Sequence, residues 1–178
     1  YGIDVKQIIK YRLEGHAVPS YSLLSPVNWF SEKGVTKYNY QPEKAKQLLK
    51  EAGLLAGDKR NPCLSLELKT SNNGEVVGIA RILQAQLAQI GIRLNIKSYE
   101  WGTFYGDIKS GNYQLTTMRW VGMTDPDFYY NIFNSNQFPP SGRNRGLYKN
   151  SEIDRLTEEG RNILDVNKRK AIYSQIQK

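Results

Sequence analysis

Apolar and polar residues alternate twice in the middle of the chain, and the two alternations frame a helical pattern. Leu64, Leu66 and Leu68 are separated by Ser65, Glu67 and Lys69, the period of a strand with one buried face. Ser71-Asn72-Asn73-Gly74 interrupts it, and Val76, Ile79, Ala80, Leu83, Leu87 and Ile90 then recur at helical spacing over 75–90. Gly91 closes that helix, and Ile92, Leu94 and Ile96 alternate again. Strand, helix and strand joined by tight connections predict a βαβ unit. A short helix over 101–110 ends at Gly111, and residues 113–120 supply a third strand. If the strands run parallel, the turns 71–74, 99–101 and 120–127 emerge at one carboxyl edge, where open α/β sheets bind ligands. The helix starting near Glu75 would point backbone N–H groups into the same space.

The flanks are less regular. Asp4 suits the N-cap of a helix over 5–14, with Val5, Ile8, Ile9 and Leu13 as its stripe and Gly15 at its end. Residues 16–41 carry Pro19, Pro26 and Gly34, and their aromatics (Tyr21, Trp29, Phe30, Tyr38, Tyr40) are expected to pin this irregular segment to the body. Pro42 fits the first turn of a helix ending before Gly53, with Ala45, Leu48, Leu49 and Ala52 facing inward, and a polar turn follows over 56–62. After Trp120, Phe128, Tyr129, Tyr130 and Phe133 mark a short helix in which the tyrosines pack rather than line a cleft. A long polar loop spans 134–148, and such loops in compact domains are functional or mobile. Asn150 or Ser151 opens a helix with the stripe Ile153, Leu156, Gly160, Ile163 and Leu164. Asp165 caps another, whose Ile172 and Ile176 are left without partners.

Composition narrows the function classes. With 178 residues, 39% hydrophobic and 11% aromatic, the chain can build a real core, and no apolar run approaches the ~20 residues of a membrane span. The net charge is +8, but the excess is +4, +2 and +2 over residues 1–60, 61–120 and 121–178, with no basic block. That even spread describes a solvated surface and argues against nucleic acid as a partner. Cys63 and His16 are the only residues of their types, which disfavours a disulfide within the chain, a metal site and a Cys–His or Ser–His–Asp nucleophile. No cofactor is expected. The chain begins Tyr1-Gly2-Ile3-Asp4 without a secretion signal and stops inside a helical pattern, as a fragment truncated at both ends would.

Several stretches together resemble one known family. Gly2-Ile3-Asp4-Val5-Lys6-Gln7-Ile8-Ile9 and Tyr40-Gln41-Pro42-Glu43-Lys44-Ala45 through Ala52-Gly53 are followed by Ala85-Gln86-Leu87 with Gly91-Ile92, and by Glu100-Trp101-Gly102-Thr103-Phe104. Trp120-Val121-Gly122 with Asp125-Pro126-Asp127, and Tyr148-Lys149-Asn150 with Ile153-Asp154, complete an ordered set covering essentially the whole chain. The set is similar to the second lobe of the family 5 extracellular solute-binding proteins, which serve ABC transporters for dipeptides, oligopeptides, nickel and related cargo. The resemblance implies a type II periplasmic-binding-protein-like α/β lobe over 1–178, whose central sheet contains the βαβ unit flanked by helices. It further implies a ligand held against a first lobe absent from this chain, a membrane permease as partner, and a periplasmic or lipoprotein location.

The candidate ligand-binding residues are Trp120, Gly122, Met123, Asp125, Asn72, Asn73, Trp101 and Arg145. In peptide-binding members, the Trp matching Trp120 is followed three residues later by an Asp that pairs with the peptide amino group. Met123 stands there, in a loop slightly shortened. A buried ammonium needs a carboxylate, so either Asp125 takes that role or the cargo is not anchored by an amino terminus. Each candidate also has a plainer reading. Trp120 and Trp101 can cover the end of the sheet, Asp125 before Pro126 can cap a helix, Asn72 and Asn73 can be turn residues, and Arg143 and Arg145 can be exposed loop charges. Asp125 and Asp127 as a glycosidase pair would face different ways. The reading that follows is the substrate-binding component of an importer for peptides or peptide-like solutes, without catalysis. The alternative is the same lobe as the effector-sensing domain of a transcriptional regulator.

Overall fold

The computed structural model describes residues 1–54 and 58–178. Its elements are α1 (Val5–Arg12), α2 (Pro42–Glu51), β1 (Leu64–Ser71), α3 (Gly74–Ala88), β2 (Ile92–Tyr99), α4 (Trp101–Ser110) and β3 (Leu115–Thr116), then α5 (Phe128–Phe133), a 3₁₀ turn (Ser135–Gln137), α6 (Ser151–Asn162) and α7 (Val166–Gln177). They form two compact units. The first comprises Tyr1–Pro19, Tyr38–Ile108 and Asn112–Met118, and the second Ser20–Lys37, Lys109–Gly111 and Arg119–Lys178.

The first unit is built on the βαβ pattern. β1 lies between β2 and β3 in an all-parallel sheet, paired from Leu64↔Ile92 to Ser71↔Tyr99 on one side and Leu68↔Leu115, Lys69↔Thr116 on the other. The leucines of β1 and β2 face α3, where Leu68, Ala80 and Leu94 form one buried cluster. Ala45, Ile90 and Ile92 form a second, joined by Leu49 of α2. Leu48 and Ala52 stay exposed, so α2 buries a narrower stripe than its pattern predicts. α1 stops at Arg12 because Glu14 and Gly15 both turn to positive φ. The expected third strand shrinks from 113–120 to two residues; beyond Thr116 no strand pairing continues, and the chain enters the second unit after Met118. The turn expected over 56–62 lies partly outside the described residues, and within it the Asp58 carboxylate accepts the N–H groups of Arg60 and Asn61.

The second unit is helical, with Leu24, Tyr129 and Tyr173 fully or almost fully buried at its centre. Asn150 and Asp165 cap α6 and α7, each accepting two backbone N–H groups. The helices pack through Gly160, where a Cβ would lie 2.9 Å from the Tyr173 ring; only glycine permits that approach. Ile163 and Leu164 fall beyond the end of α6, and Leu164 is 96% exposed, so the expected stripe ends at Gly160. Ile172 and Ile176 do have partners. Ile172 is buried, and Ile176 packs on the cluster that Leu24 closes from the irregular segment 20–37. Of the aromatics expected to pin residues 16–41, Phe30 packs edge-on to Tyr173 and Tyr38 edge-on to Tyr1, while Tyr21, Trp29, Tyr38 and Tyr40 all keep exposed surface. Gln177 fixes the same segment by donating to the Phe30 carbonyl and accepting from Ser22 and Glu32.

Candidate functional site

The sequence-selected residues divide between the two units. Asn72, Asn73 and Trp101 belong to the first, and Trp120, Gly122, Met123, Asp125 and Arg145 to the second.

In the first unit the parallel register brings two expected turns to one rim. β1 and β2 end opposite each other at Ser71 and Tyr99, and the Asn72 N–H donates to the Tyr99 carbonyl at 2.8 Å. β3 runs the same way, its last paired residue Thr116 lying opposite Lys69, two residues before the end of β1. Asn73 caps α3, its side-chain oxygen accepting from the N–H groups of Glu75 and Val76. Two of the donors expected to face a ligand are therefore used inside the turn, a correction to the open helix terminus anticipated from the sequence. Asn72 is exposed. Trp101 is 54% exposed at the start of α4, stacked on Tyr105 at 5.6 Å and tilted against Phe104.

An ion pair between a buried lysine and a half-buried aspartate near this rim escaped the sequence reading. Lys69 of β1 donates to Asp107 of α4 at 2.8 Å, with its ammonium 5.7 Å from the Tyr99 ring centre. The hydrogen bond between them raises the lysine pKa and lowers that of Asp107, which also accepts from Asn112. Parallel sheets are covered on both faces, so a lysine on the face opposite the leucines meets protein and needs an anion. That rule was the available signal.

In the second unit Trp120 is half-buried and meets Phe128 edge-on at 5.5 Å. The guanidinium carbons of Arg143 and Arg145 lie 5.7 and 5.3 Å from the centre of its ring. Val121 and Gly122 are exposed, Gly122 with φ of 74°, and Met123 is half-buried. Asn28 ties this stretch to segment 20–37 by donating to the Thr124 carbonyl at 2.8 Å.

Asp125 is heavily engaged. Its carboxylate accepts the Asp127 N–H at 2.8 Å, and Arg169 donates to both of its oxygens at 2.7 and 3.1 Å. The Arg169 guanidinium holds the carboxyl below the usual carboxylate range. The helix proper begins later than expected, at Phe128, with Asp127 in the cap position and no side-chain cap bond. Asp125 instead caps the turn before it. Asp127 pairs with a different arginine, Arg161, at 3.0 Å, and Arg161 lies 3.9 Å over the Tyr130 ring. Tyr129 is core, its hydroxyl 2.9 Å from that of Ser22. These two arginines were not singled out from the sequence, because pairing over such separations leaves no local pattern.

The loop 134–148 is fixed by two fully buried amides. Asn144 donates to the carbonyls of Asn134 and Tyr148 and accepts the Tyr148 N–H, while Asn134 donates to Asp154 and Thr157 of α6. A Cβ on Gly142 would fall 2.0 Å from the Gln137 carbonyl oxygen, so the loop closes on itself there through glycine. Among the described residues no group of three or more His, Cys, Asp or Glu could hold a metal, and no helix is long and apolar enough to cross a membrane. A hollow of about 420 Å³ in the first unit lies along α3 and β2, between Gln84, Ala88, Arg93 and Leu94, and none of the candidate residues lines it.

Residues 1–139 match the profile of the bacterial extracellular solute-binding proteins, family 5, middle region. The dipeptide-binding protein of Escherichia coli is 32% identical over 99% of this chain, which covers 33% of that protein. The structure of the oligopeptide-binding protein AppA from Bacillus subtilis in complex with a nonapeptide superposes with a TM-score of 0.87 at 32% identity, over 99% of this chain and 37% of that one. The periplasmic binding protein DppA from Helicobacter pylori, in complex with the peptide STSA, gives 0.87 at 28% identity, over 99% and 34%. The chain thus spans about a third of the length of the curated relatives it matches.

Proposed function

Because this chain belongs to family 5 of the bacterial extracellular solute-binding proteins, we propose that it forms most of the second lobe of a two-lobed carrier. That carrier delivers peptides or peptide-like solutes to the permease of an ABC importer. The observation that carries the reading is the likeness over nearly the whole chain to structures that hold peptides, at TM-scores of 0.87. Its relatives work outside the cytoplasm by family description, and a periplasmic or lipid-anchored location is proposed here too.

On this reading Trp120 offers an aromatic surface, Gly122 and Met123 offer main chain and an apolar contact, and the remaining lobe closes over the cargo to exclude water. Arg145 adds a peripheral contact from the same unit. Asp125 supports the architecture more than it supports an ammonium anchor, since Arg169 and a backbone N–H already occupy both oxygens. The same pairing speaks against catalysis: Asp125 and Asp127 each answer to their own arginine, and His16 is exposed beyond the end of α1.

A thermal-shift panel of di- to nonapeptides on the complete protein tests the proposal. A ligand at a hundred times its Kd stabilises the folded form by about 2.7 kcal/mol, so at least one peptide class raises the melting temperature by several degrees. A panel that leaves it unmoved overturns peptide cargo.

A further inference from the structure

The even spread of charge along the sequence hides a concentration in the first unit. Residues 5–13 carry Lys6, Lys10 and Arg12, residues 76–90 carry Arg81, and neither stretch contains an acid. Their two helices, α1 and α3, lie together. The buried Gln86 of α3 accepts the Asp4 N–H and donates to Gln7. Arg12 rests on α3 at Gly78, where a Cβ would fall 2.7 Å from its Nε, so glycine makes the room for the guanidinium. Beside this seam is a hollow of about 370 Å³, lined by Gln7, Tyr11, Arg81, Ile82, Ala85 and Gln89.

The polar groups left over around the hollow are mainly donors. Gln7 gives its side-chain oxygen to Gln86, and Gln89 gives its own to the Tyr40 hydroxyl, which leaves the NH2 group of each amide to spare. The Lys10 ammonium lies 5.0 Å from the centre of the Tyr11 ring, which keeps it at the edge of the hollow. Lys6, Lys10 and Arg81 are exposed and Arg12 is half-buried, and none of the four forms an ion pair among the described residues. Of the acids that bound the two stretches, Asp4 is turned to the Gln7 N–H, and Glu14 and Glu75 pair with none of these cations. Cations gathered without counter-charges repel one another, and an anionic partner relieves that repulsion.

We infer that the hollow between α1 and α3 docks an acidic segment of a partner protein. Its carboxylates meet Lys6, Lys10, Arg12 and Arg81, its main-chain carbonyls meet the amides of Gln7 and Gln89, and Ile82 and Ala85 give it an apolar floor. Concavity favours a polypeptide over a membrane surface: a flat layer of headgroups meets the cations but not the recessed amides, whereas a chain segment reaches both. All of these residues belong to the first unit.

Fluorescence anisotropy on the complete protein tests this with two labelled peptides of equal length, blocked at both ends, one alternating Glu with Gly and the other Gln with Gly. The acidic peptide binds, the neutral one does not, and added salt weakens the complex. Lys10→Gln with Arg81→Gln lowers the affinity about tenfold while the melting temperature stays unchanged. Lys149→Gln with Lys168→Gln removes the same charge from exposed positions of the second unit and leaves the affinity where it was. Equal losses in the two variants signify general attraction to a basic protein and overturn the inference. Full affinity in the first variant places the peptide elsewhere and overturns it too, as does the absence of binding. Phosphatidylglycerol vesicles form the second arm. If they retain the wild type and release the Lys10→Gln, Arg81→Gln variant, the face meets lipid and the inference fails. None of these outcomes touches the carrier reading, which the peptide panel decides.

Discussion

Tyr173→Ala lowers stability by about 3–5 kcal/mol, the range for emptying an aromatic-sized volume in a packed interior. Tyr173 has no exposed surface. It meets Phe30 from the segment 20–37 and Tyr129 from α5, and its ring lies against Gly160 of α6. Removing it leaves a void bordered by segment 20–37, α5 and α6. Urea denaturation of the complete protein measures the loss, and hydrogen exchange places it in α5, α6, α7 and segment 20–37. The same burial pushes the phenol pKa up to about 12. A group raised in the folded state contributes stability that is present below its unfolded pKa of about 10 and lost as pH climbs through the folded value. The wild type consequently loosens in that alkaline window and the alanine variant lacks this contribution. A loss under about 1 kcal/mol would show that Tyr173 is not the keystone.

Asn144→Ala comes next, at about 2–4 kcal/mol. The side chain joins the Asn134 carbonyl to the main-chain N–H and carbonyl of Tyr148, and both asparagines are shut away from water. Alanine leaves those groups unsatisfied, at about 1–3 kcal/mol for each that finds no other partner. The readout specific to this residue is local. Amide protection between 134 and 148 collapses while that of β1 and β2 stays unchanged. If the loop keeps its protection, the buried amide is not what fixes it.

How far the sequence carried depends on the range of the interactions. β1, α3 and β2 were legible because one buried face imposes a period on each, and tight turns rich in Asn and Gly separate them. Asn150 and Asp165 were legible as caps because capping is settled within three residues. What failed was long-range. Lys69 looks like an outward residue of an alternating strand until α4 brings Asp107 over it. Leu24, the most buried leucine of the second unit, sits in a stretch with no periodicity and is fixed by α5 and α7, more than a hundred residues away. Arg161 and Arg169 look like solvated helix charges, yet they secure Asp127 and Asp125. Asn144 reads as one more polar loop residue, because nothing local marks an amide for burial.

At the candidate site, the family resemblance pointed to Trp120, Gly122 and Met123 and the polar loop to Arg145, and the structure adds the buried Asn144 that fixes that loop. For Asp125 and Asn73 the plainer roles are the ones visible in the geometry, a turn cap with an arginine partner and a helix cap. Neither role disturbs the carrier reading, which depends on Trp120 more than on either acid or amide.

The most direct check is a calorimetric titration of the complete protein and its Trp120→Ala variant with the tightest-binding peptide from the panel. We expect the variant to fold and to bind at least about tenfold more weakly, the scale on which buried aromatic anchors act. Equal affinities would remove Trp120 from the cargo surface and contradict the account at its centre.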